Sequence, residues 1–222
     1  RVANRMKLFI ILGNQLFPET YIKDYKDQYT FFMAEDLGLC NHQKPNKKKI
    51  LLFLSAMRSY ADGMRRNNFK IIYHDLDSHE FKSSYIWKLN RVLELNNVKS
   101  VSFFEIEDKF LENEIVNYLK DNKIDFNILN SPMFLTSRTE FSDFLLSNKP
   151  FMATFYKYIR KKHNIMMDSN MKPVGGKWSF DSDNRKRIPD SIPIPACPKT
   201  EKTEHTKKLI PITIPSIKLC NP

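Results

Sequence analysis

Short apolar runs alternate with longer amphipathic segments over the first 135 residues. Five runs of four to six residues have the composition of buried parallel strands: Lys7–Leu12, Thr30–Ala34, Lys70–Tyr73, Ser100–Phe104 and Asp125–Leu129. Three segments between them place apolar residues on one side of a helix: Lys49–Arg66, Ser84–Leu95 and Lys109–Asp121. Strands that alternate with helices form right-handed βαβ units. The pattern therefore predicts an α/β domain over residues 1–135, with a Rossmann-like five-stranded parallel sheet and helices on both faces.

The pattern changes after residue 135. Ser137 and Glu140 have the spacing of a capping box, which predicts the start of a helix. A second helix is expected over Phe151–His163, and both helices belong to a helical extension over residues 136–188. Seven of the 12 prolines lie between residues 189 and 222, and proline is unfavourable inside helices and central strands. This last segment is therefore predicted to be an extended, proline-rich connector toward another domain.

Composition narrows the function classes. The formal net charge is +11, which favours polyanionic partners such as DNA, RNA or an acidic membrane surface. The three cysteines are far apart, which argues against a disulfide framework and fits a reducing, cytoplasmic location. No apolar run reaches the length of a membrane span, and the five histidines lack the spacing of a metal site. The motifs of P-loop NTPases, serine hydrolases and dinucleotide-binding loops are absent from the sequence.

Polar residues follow the first two predicted strands. Gly13, Asn14 and Gln15 come directly after the first strand, and Glu35 and Asp36 follow the second. Because ligands of parallel α/β sheets bind beyond the carboxyl ends of the strands, these residues predict a site for a small polar heterocycle. The alternative is that Asn14 and Asp36 are turn residues only.

A basic and aromatic segment lies in the helical extension. Residues 171–186 contain two adjacent glycines, Gly175 and Gly176, out of five in the chain, followed by Trp178 and Phe180. The surrounding basic residues are Lys157, Arg160, Lys161, Lys162, Lys172, Lys177, Arg185, Lys186 and Arg187. Such a loop suits a nucleic-acid backbone and its bases. The alternatives are a surface loop held by two buried aromatic residues and, for the cations that end the helix, ordinary helix capping.

Several segments resemble one known family. The stretch PVGGKWSFDSDNRK at residues 173–186 resembles the PVGG-x-W-N-F-D-x-E-N-R signature of the photolyase-related proteins, the iron–sulfur bacterial cryptochromes and (6-4) photolyases. Further segments match in the same order: Leu12–Leu16 resembles L-G-D-Q-L, Lys47–Ile50 with Ser55–Arg58 resembles H-K-K-K-I…S-A-M-R, Ser131–Arg138 resembles F-L-x-S-R, and Phe155–Lys162 resembles F-Y-R-x-M-R-R-K. Each motif alone is weak, but five in order are a specific signal.

The resemblance implies that residues 1–135 form the family's antenna domain, which in several members holds a ribityl-lumazine chromophore. Carried over by matching motif, the cofactor-binding residues are Gly13, Asn14, Gln15, Glu35 and Phe53. Glu35 would accept hydrogen bonds from the chromophore, and Phe53 would pack on its ring. Asn14 stands where the family has an aspartate, which replaces an acceptor-only carboxylate by an amide.

The resemblance also implies light-driven repair of DNA photoproducts or blue-light sensing, with the parent protein a DNA photolyase, a carbon–carbon lyase. The residues expected to bind nucleic acid are Arg160, Lys161, Lys162, Lys177 and Arg185. FAD and the iron–sulfur cluster belong to the family's C-terminal helical flavin domain, which would begin where this sequence stops. The 222 residues are therefore expected to hold neither group, to contain no catalytic residue and to partner DNA through the full-length protein. Two alternatives remain: a stand-alone nucleotide- or chromophore-binding module, and a basic nucleic-acid-binding module without photochemistry.

Overall fold

The structure is a computed structural model that describes residues 6–36, 38–39, 46–182 and 184–216, with side chains described to residue 211. The chain forms two compact units. Unit 1 comprises Arg1–Met133 and Glu201–Pro222, and unit 2 comprises Phe134–Thr200.

A parallel sheet is the centre of unit 1. Its strands are β1 (Lys7–Ile10), β2 (Tyr29–Ala34), β3 (Ile71–His74), β4 (Ser100–Phe104) and β5 (Asp125–Leu129). The strand order is β3-β2-β1-β4-β5, and every neighbouring pair is parallel. The predicted five-stranded, Rossmann-like parallel sheet is therefore confirmed. The order reverses between β1 and β4, which is the switch point where ligands bind in sheets of this kind.

Three helices follow strands of this sheet: α1 (Lys47–Arg66), α2 (Tyr85–Leu95) and α3 (Lys109–Asp121). Each begins at a capping side chain that accepts a backbone N–H bond. Asn46 accepts from Lys48 at 2.8 Å, Ser84 accepts from Trp87 at 3.2 Å, and Asp108 accepts from Phe110 and Leu111 at 2.9 and 3.2 Å. Because each helix follows a parallel strand, all three N-termini lie at the carboxyl edge of the sheet.

Apolar side chains cover both faces of the sheet. One buried cluster joins sheet residues such as Leu8 and Val101 to α2 and α3 through Leu89 and Ile115. The other cluster joins sheet residues such as Phe9 and Phe31 to α1 and to the C-terminal segment. Helices therefore lie on both faces, as the sequence predicts. Within the described part of the chain, no helix has the length and apolar character needed to cross a membrane.

The C-terminal segment differs from the predicted extended connector. Residues 189–203 contain neither helix nor strand, but Glu204–Ser216 forms a helix, α6. Leu209 is fully buried in the α1 side of the core, and Thr206 Oγ1 lies 2.6 Å from Ser55 Oγ of α1. The prediction was wrong here because residues 199–210 contain no proline, and the seven of them that lie in the helix are enough chain for about two turns. The burial of Leu209 against α1 then favours the helix despite the two prolines within it, Pro211 and Pro215.

Unit 2 contains α4 (Arg138–Ser147) and α5 (Met152–Lys162). Ser137 caps α4 by accepting the Glu140 backbone N–H at 3.1 Å, as the capping box predicts. The two helices meet through aromatic side chains, with ring centroids of Phe155 at 4.8 Å from Phe141 and 5.0 Å from Phe144. Edge-on geometry at these distances is favourable beyond simple burial.

Candidate functional site

A cavity of about 330 Å³ lies at the carboxyl edge of the sheet in unit 1. Its apolar wall includes Leu12, Ala34, Ile50, Phe53, Leu54 and Met57. Its polar residues are Asn14, Asp36, Lys49, Tyr85 and Asp108. The cavity therefore draws on the ends of two strands and the first turns of three helices, close to the switch point. Its volume and mixed lining are those of a small-molecule site.

Gly13 sets the shape of this cavity. A Cβ atom at this position would lie 2.6 Å from Met57 Sδ on α1, so a larger residue would require the Met57 side chain to shift. The glycine therefore lets the loop after β1 lie directly against α1. Three of the residues expected to bind a cofactor, Gly13, Asn14 and Phe53, line the cavity. The Phe53 ring centroid is 5.9 Å from Lys49 Nζ.

Gln15 is buried beside the cavity rather than in its lining. Its Nε2 donates to the Glu105 carbonyl oxygen at 2.7 Å and to Glu107 Oε2 at 3.2 Å. The neighbouring Asn14 Nδ2 also donates to Glu107 Oε2, at 3.3 Å. Gln15 thus connects the loop after β1 to the loop after β4, and its role in the structure is to fix that edge of the site.

Glu35 is fully buried and does not line the cavity. Its carboxylate accepts from Arg58 Nε at 2.7 Å and Nη2 at 2.9 Å. It also accepts the Tyr73 hydroxyl at 2.7 Å and the Leu76 N–H at 2.8 Å. The hydrogen bond to Glu35 raises the pKa of Arg58, and burial raises the pKa of Tyr73, with Glu35 the next cause. Glu35 therefore belongs to a hydrogen-bond network that joins β2, α1 and β3. None of Glu35, Arg58 and Tyr73 lines the cavity.

Asp36, the next residue, lines the cavity instead. Its Oδ2 accepts from Lys88 Nζ at 2.7 Å, and its Oδ1 accepts from the Leu39 N–H at 2.9 Å. Lys88 is fully buried and also donates to the carbonyl oxygens of Glu35 and Phe81, each at 3.1 Å. All three ammonium protons therefore have acceptors, which is what a buried lysine requires.

Tyr85 is the first residue of α2 and also lines the cavity. It is 4% exposed, and its hydroxyl has no hydrogen-bond partner among the residues that the structure describes. Burial raises the pKa of this hydroxyl, with the charge of Asp36 as a second cause. Sequence reasoning missed Tyr85 and Lys88. The available signal was Ser84, a capping residue that places the following turn of helix at the carboxyl edge of the sheet.

The basic residues of unit 2 divide into buried and exposed groups. Arg160, predicted to contact nucleic acid, is buried. Its guanidinium donates to the carbonyl oxygens of Ile165 at 3.1 Å, Met166 at 2.7 Å and Trp178 at 3.1 Å. Its carbon Cζ lies 5.4 Å from the centroid of the Trp178 ring. Arg160 therefore holds the loop after α5 in place, and its donors are directed at protein carbonyls.

Lys161, Lys162, Lys177 and Arg185, also predicted to bind nucleic acid, are exposed. Lys161 Nζ lies 5.6 Å from the Trp178 ring centroid, whereas Lys162 forms an ion pair with Glu140 of α4. That pair raises the pKa of Lys162. Lys157 Nζ, at 5.9 Å, is the second exposed cation over the same indole ring.

Gly175 and Gly176 give the loop its turn in unit 2. Both have positive φ, +82° and +74°, a conformation that side chains other than that of glycine rarely adopt. At Gly175 a Cβ would also lie 2.8 Å from the ring of Phe180.

Among the residues that the structure describes, no group of three His, Cys, Asp or Glu side chains is placed to hold a metal ion.

Comparison with known proteins adds three findings. A family model described as deoxyribodipyrimidine photo-lyase-related protein matches residues 9–213. The chain is 27% identical over 207 residues to a (6-4) photolyase of Agrobacterium fabrum, an alignment that covers 92% of this chain and 41% of that protein. It is 28% identical over 194 residues to an uncharacterized protein of Acanthamoeba polyphaga mimivirus, an alignment that covers 82% of this chain and 95% of that protein. The chain thus spans less than half of the first relative and almost all of the second.

Proposed function

Because this chain belongs to the deoxyribodipyrimidine photo-lyase-related protein family, we propose that it is the antenna module of a light-dependent protein of that family. The observation that carries the proposal is the cavity at the carboxyl edge of the sheet, which has the volume and the mixed apolar and polar lining of a small-molecule site. A bound chromophore there absorbs near-ultraviolet or blue light and passes the excitation on. The activity of the whole protein is then repair of a DNA photoproduct or blue-light sensing.

The lining supports a ribityl-lumazine as the chromophore. Phe53 and Met57 offer apolar surface to a flat ring, while Asp36 offers a carboxylate to its polar edge. Asn14, at the loop after β1, offers an amide to the hydroxyls of a ribityl chain. We assign the acidic contact to Asp36 rather than to Glu35, because four protein donors already occupy the Glu35 carboxylate.

FAD and an iron–sulfur cluster do not fit the residues of this chain. A four-cysteine cluster needs more ligands than the three cysteines present. The cavity of about 330 Å³ is at the lower end of ligand-site volumes, and its loops lack a dinucleotide-binding motif. We therefore place flavin chemistry outside these 222 residues and expect the purified chain to be catalytically inactive. A stable flavin-adenine dinucleotide spectrum from the purified chain would contradict this.

Contact with DNA is the second part of the proposal. Residues 134–200 carry 12 lysines and arginines against six aspartates and glutamates, so +6 of the net charge of +11 lies in unit 2. Exposed cations such as Lys161, Lys177 and Arg185 suit contacts to phosphate groups, which give affinity without reading sequence. The same observation supports the alternative of a nucleic-acid-binding module without photochemistry.

One pair of titrations separates these functions. The purified chain is titrated with a dimethyl-ribityllumazine, following ligand fluorescence, and with duplex DNA at several salt concentrations. Saturable lumazine binding supports the antenna module. DNA binding with a steep salt slope and no lumazine binding would replace it by the nucleic-acid-binding module, since each neutralised phosphate adds about 0.9 to that slope.

A further inference from the structure

Unit 2 leaves most of its apolar and aromatic side chains at the surface. In its described part, residues 134–182 and 184–200, the buried residues are Phe144 and Arg160. Tyr156 on α5 is 48% exposed, and Trp178 in the following loop is partly exposed. Aromatic rings that lie outside a buried core are common at binding surfaces. The surface around α5 is therefore a candidate interaction site.

We propose that this surface binds an unpaired DNA strand, whose bases stack on Tyr156 and Trp178. Lys157, Lys161 and Lys177 contact the phosphates of the same strand. The inference rests on the proposed contact with DNA, and it adds the form of DNA that is bound and the residues on which its bases lie.

A single buried arginine holds the two aromatic rings. The Cζ atom of Arg160 lies 5.6 Å from the Tyr156 ring centroid and 5.4 Å from the Trp178 ring centroid. Its guanidinium is fixed by hydrogen bonds to three backbone carbonyl oxygens, one of them that of Trp178. Arg160 is thus a positioning residue for both rings. Tyrosine and tryptophan lose little side-chain entropy on binding, so rings held in this way are suited to stacking.

Three exposed lysines lie next to the rings. Lys157 and Lys161 are four residues apart on α5, and their Nζ atoms lie 5.9 and 5.6 Å from the Trp178 ring centroid. Lys177 directly precedes Trp178 in the chain. None of the three lysines forms an ion pair within the described part of the chain, whereas Lys162 on the same helix does. Their ammonium groups are therefore available to an anionic ligand.

The combination of rings and lysines favours an unpaired strand over other partners. In a duplex each base stacks between its neighbours, so its face is closed to an aromatic side chain. A purely apolar protein surface would bury the three ammonium groups without carboxylates to pair with them, which is unfavourable. A single strand supplies a flat ring for each aromatic side chain and a phosphate for each lysine.

The first test compares three DNA probes on the purified 222-residue chain by fluorescence anisotropy. The probes are a thymidine oligomer, a duplex of the same length, and an abasic oligomer with the same number of phosphates. We expect the thymidine oligomer to bind about tenfold more tightly than the abasic oligomer, because stacking requires bases. It should also bind more tightly than the duplex, although the duplex carries more phosphates.

Tyr156→Leu tests the stacking surface, because it removes the ring and keeps an apolar side chain at a half-exposed position. Its affinity for the thymidine oligomer should fall about tenfold, while its affinity for the abasic oligomer should stay at the wild-type value. A merely structural role of Tyr156 would lower both affinities. Tyr21→Leu is the matched control, because Tyr21 is 51% exposed and belongs to unit 1, and both of its affinities should equal those of the wild type.

The lysines have a separate readout in the salt dependence. Lys157→Gln and Lys161→Gln should each weaken binding of the thymidine and abasic oligomers alike. Each should also reduce the salt slope by about 0.7, the contribution of one phosphate contact on a single strand. Lys207→Gln is the control, since Lys207 lies on α6 in unit 1 and pairs with Glu204.

Tryptophan fluorescence reports stacking directly. The chain has two tryptophans, so Trp87→Phe on α2 leaves Trp178 as the single reporter. The thymidine oligomer should quench this fluorescence in a saturable way, and the abasic oligomer should quench it less. Equal quenching by both oligomers would contradict stacking on Trp178.

The outcomes separate this inference from the function on which it rests. Equal affinity for the thymidine and abasic oligomers would overturn base stacking and leave the phosphate contacts standing. Tighter binding of the duplex than of the thymidine oligomer would overturn the preference for an unpaired strand. If the folded chain bound none of the three probes, the proposed contact with DNA and this inference would both be wrong, and the lumazine titration would still decide the antenna function.

Discussion

Replacing Glu35 by glutamine distinguishes a structural role from a ligand-binding role for this residue. The wild-type carboxylate accepts four hydrogen bonds, two of them from the buried Arg58 guanidinium. Glutamine keeps one acceptor oxygen and places an NH₂ group against the remaining donors. Arg58 would then remain buried with only the exposed Asp77 carboxylate, 3.6 Å away, to compensate its charge. Removing one partner of a buried ion pair costs about 3–5 kcal/mol of unfolding free energy. At roughly 2–4 °C per kcal/mol for a chain of this size, the melting temperature should fall by about 6–20 °C.

The assay is urea unfolding followed by circular dichroism, with ligand titration of the folded variant. Asp77→Asn is the control, because Asp77 also faces Arg58, at 3.6 Å, but its side chain is 59% exposed. An exposed pair of this kind is worth at most about 1 kcal/mol. Adding Arg58→Met to Glu35→Gln should recover part of the loss, since it removes the uncompensated charge.

A contrary result is easy to recognise. If the unfolding free energy of Glu35→Gln were within about 1 kcal/mol of the wild-type value, the buried network would stabilise the fold less than a buried ion pair should. If that stable variant had also lost lumazine binding, Glu35 would be a ligand contact, as the family resemblance implies, and the assignment of Asp36 would be wrong.

Three further predictions test other parts of the fold. Leu209→Ala should lower the unfolding free energy by about 2–5 kcal/mol, because it leaves a cavity under α6, and urea unfolding of the single variant checks this. Gly175→Ala should make unit 2 more sensitive to limited proteolysis than Gly176→Ala, because both have positive φ but a Cβ at Gly175 meets a phenylalanine ring at 2.8 Å; equal sensitivity would show that the contact is unimportant. The hydrogen bond from His205 lowers the pKa of Asp62 below its ordinary 3.8, so this carboxylate stabilises the fold above that value and loses its effect as the pH falls through the lowered pKa. The melting-temperature difference between wild type and Asp62→Asn should therefore shrink as the pH falls from about 5 to about 3, and a constant difference would contradict the pairing.

Periodicity was sufficient to predict most of unit 1. The bounds of β4, α3 and β5 agree with the prediction, and each element begins at a polar residue. Apolar residues are buried along β4 and α3, whereas the edge strand β5 has none that is fully buried. The α6 helix was missed because a count of prolines over the segment hides the proline-free stretch before Pro211. What stabilises that stretch is the packing of Leu209 on α1, a tertiary contact that its own sequence does not show.

The sequence predicted where the candidate site lies better than it predicted which side chains line it. Both Glu35 and Asp36 follow β2, but successive residues of an extended chain point to opposite sides, so sequence alone did not identify the carboxylate that faces the cavity. Tyr85 comes from a helix about 50 residues further along the chain, and only the strand order brings it to Asp36. The sequence shows the charge of Arg160, which suggested contact with nucleic acid. It does not show the three backbone carbonyl oxygens that accept hydrogen bonds from its guanidinium.

Because α6 packs on α1, residues 134–200 are an insertion whose two ends both connect to unit 1. The conformational entropy lost when a flexible loop of this length is closed costs about 4 kcal/mol, and the docking of α6 must offset this cost. When unit 2 is folded, fewer residues of that loop are free, and the cost is smaller. Docking of α6 and folding of unit 2 therefore favour each other through chain connectivity, and thermodynamic reciprocity makes the effect equal in both directions. A mutation that unfolds unit 2 should thus also raise the hydrogen-exchange rate of amides in α6.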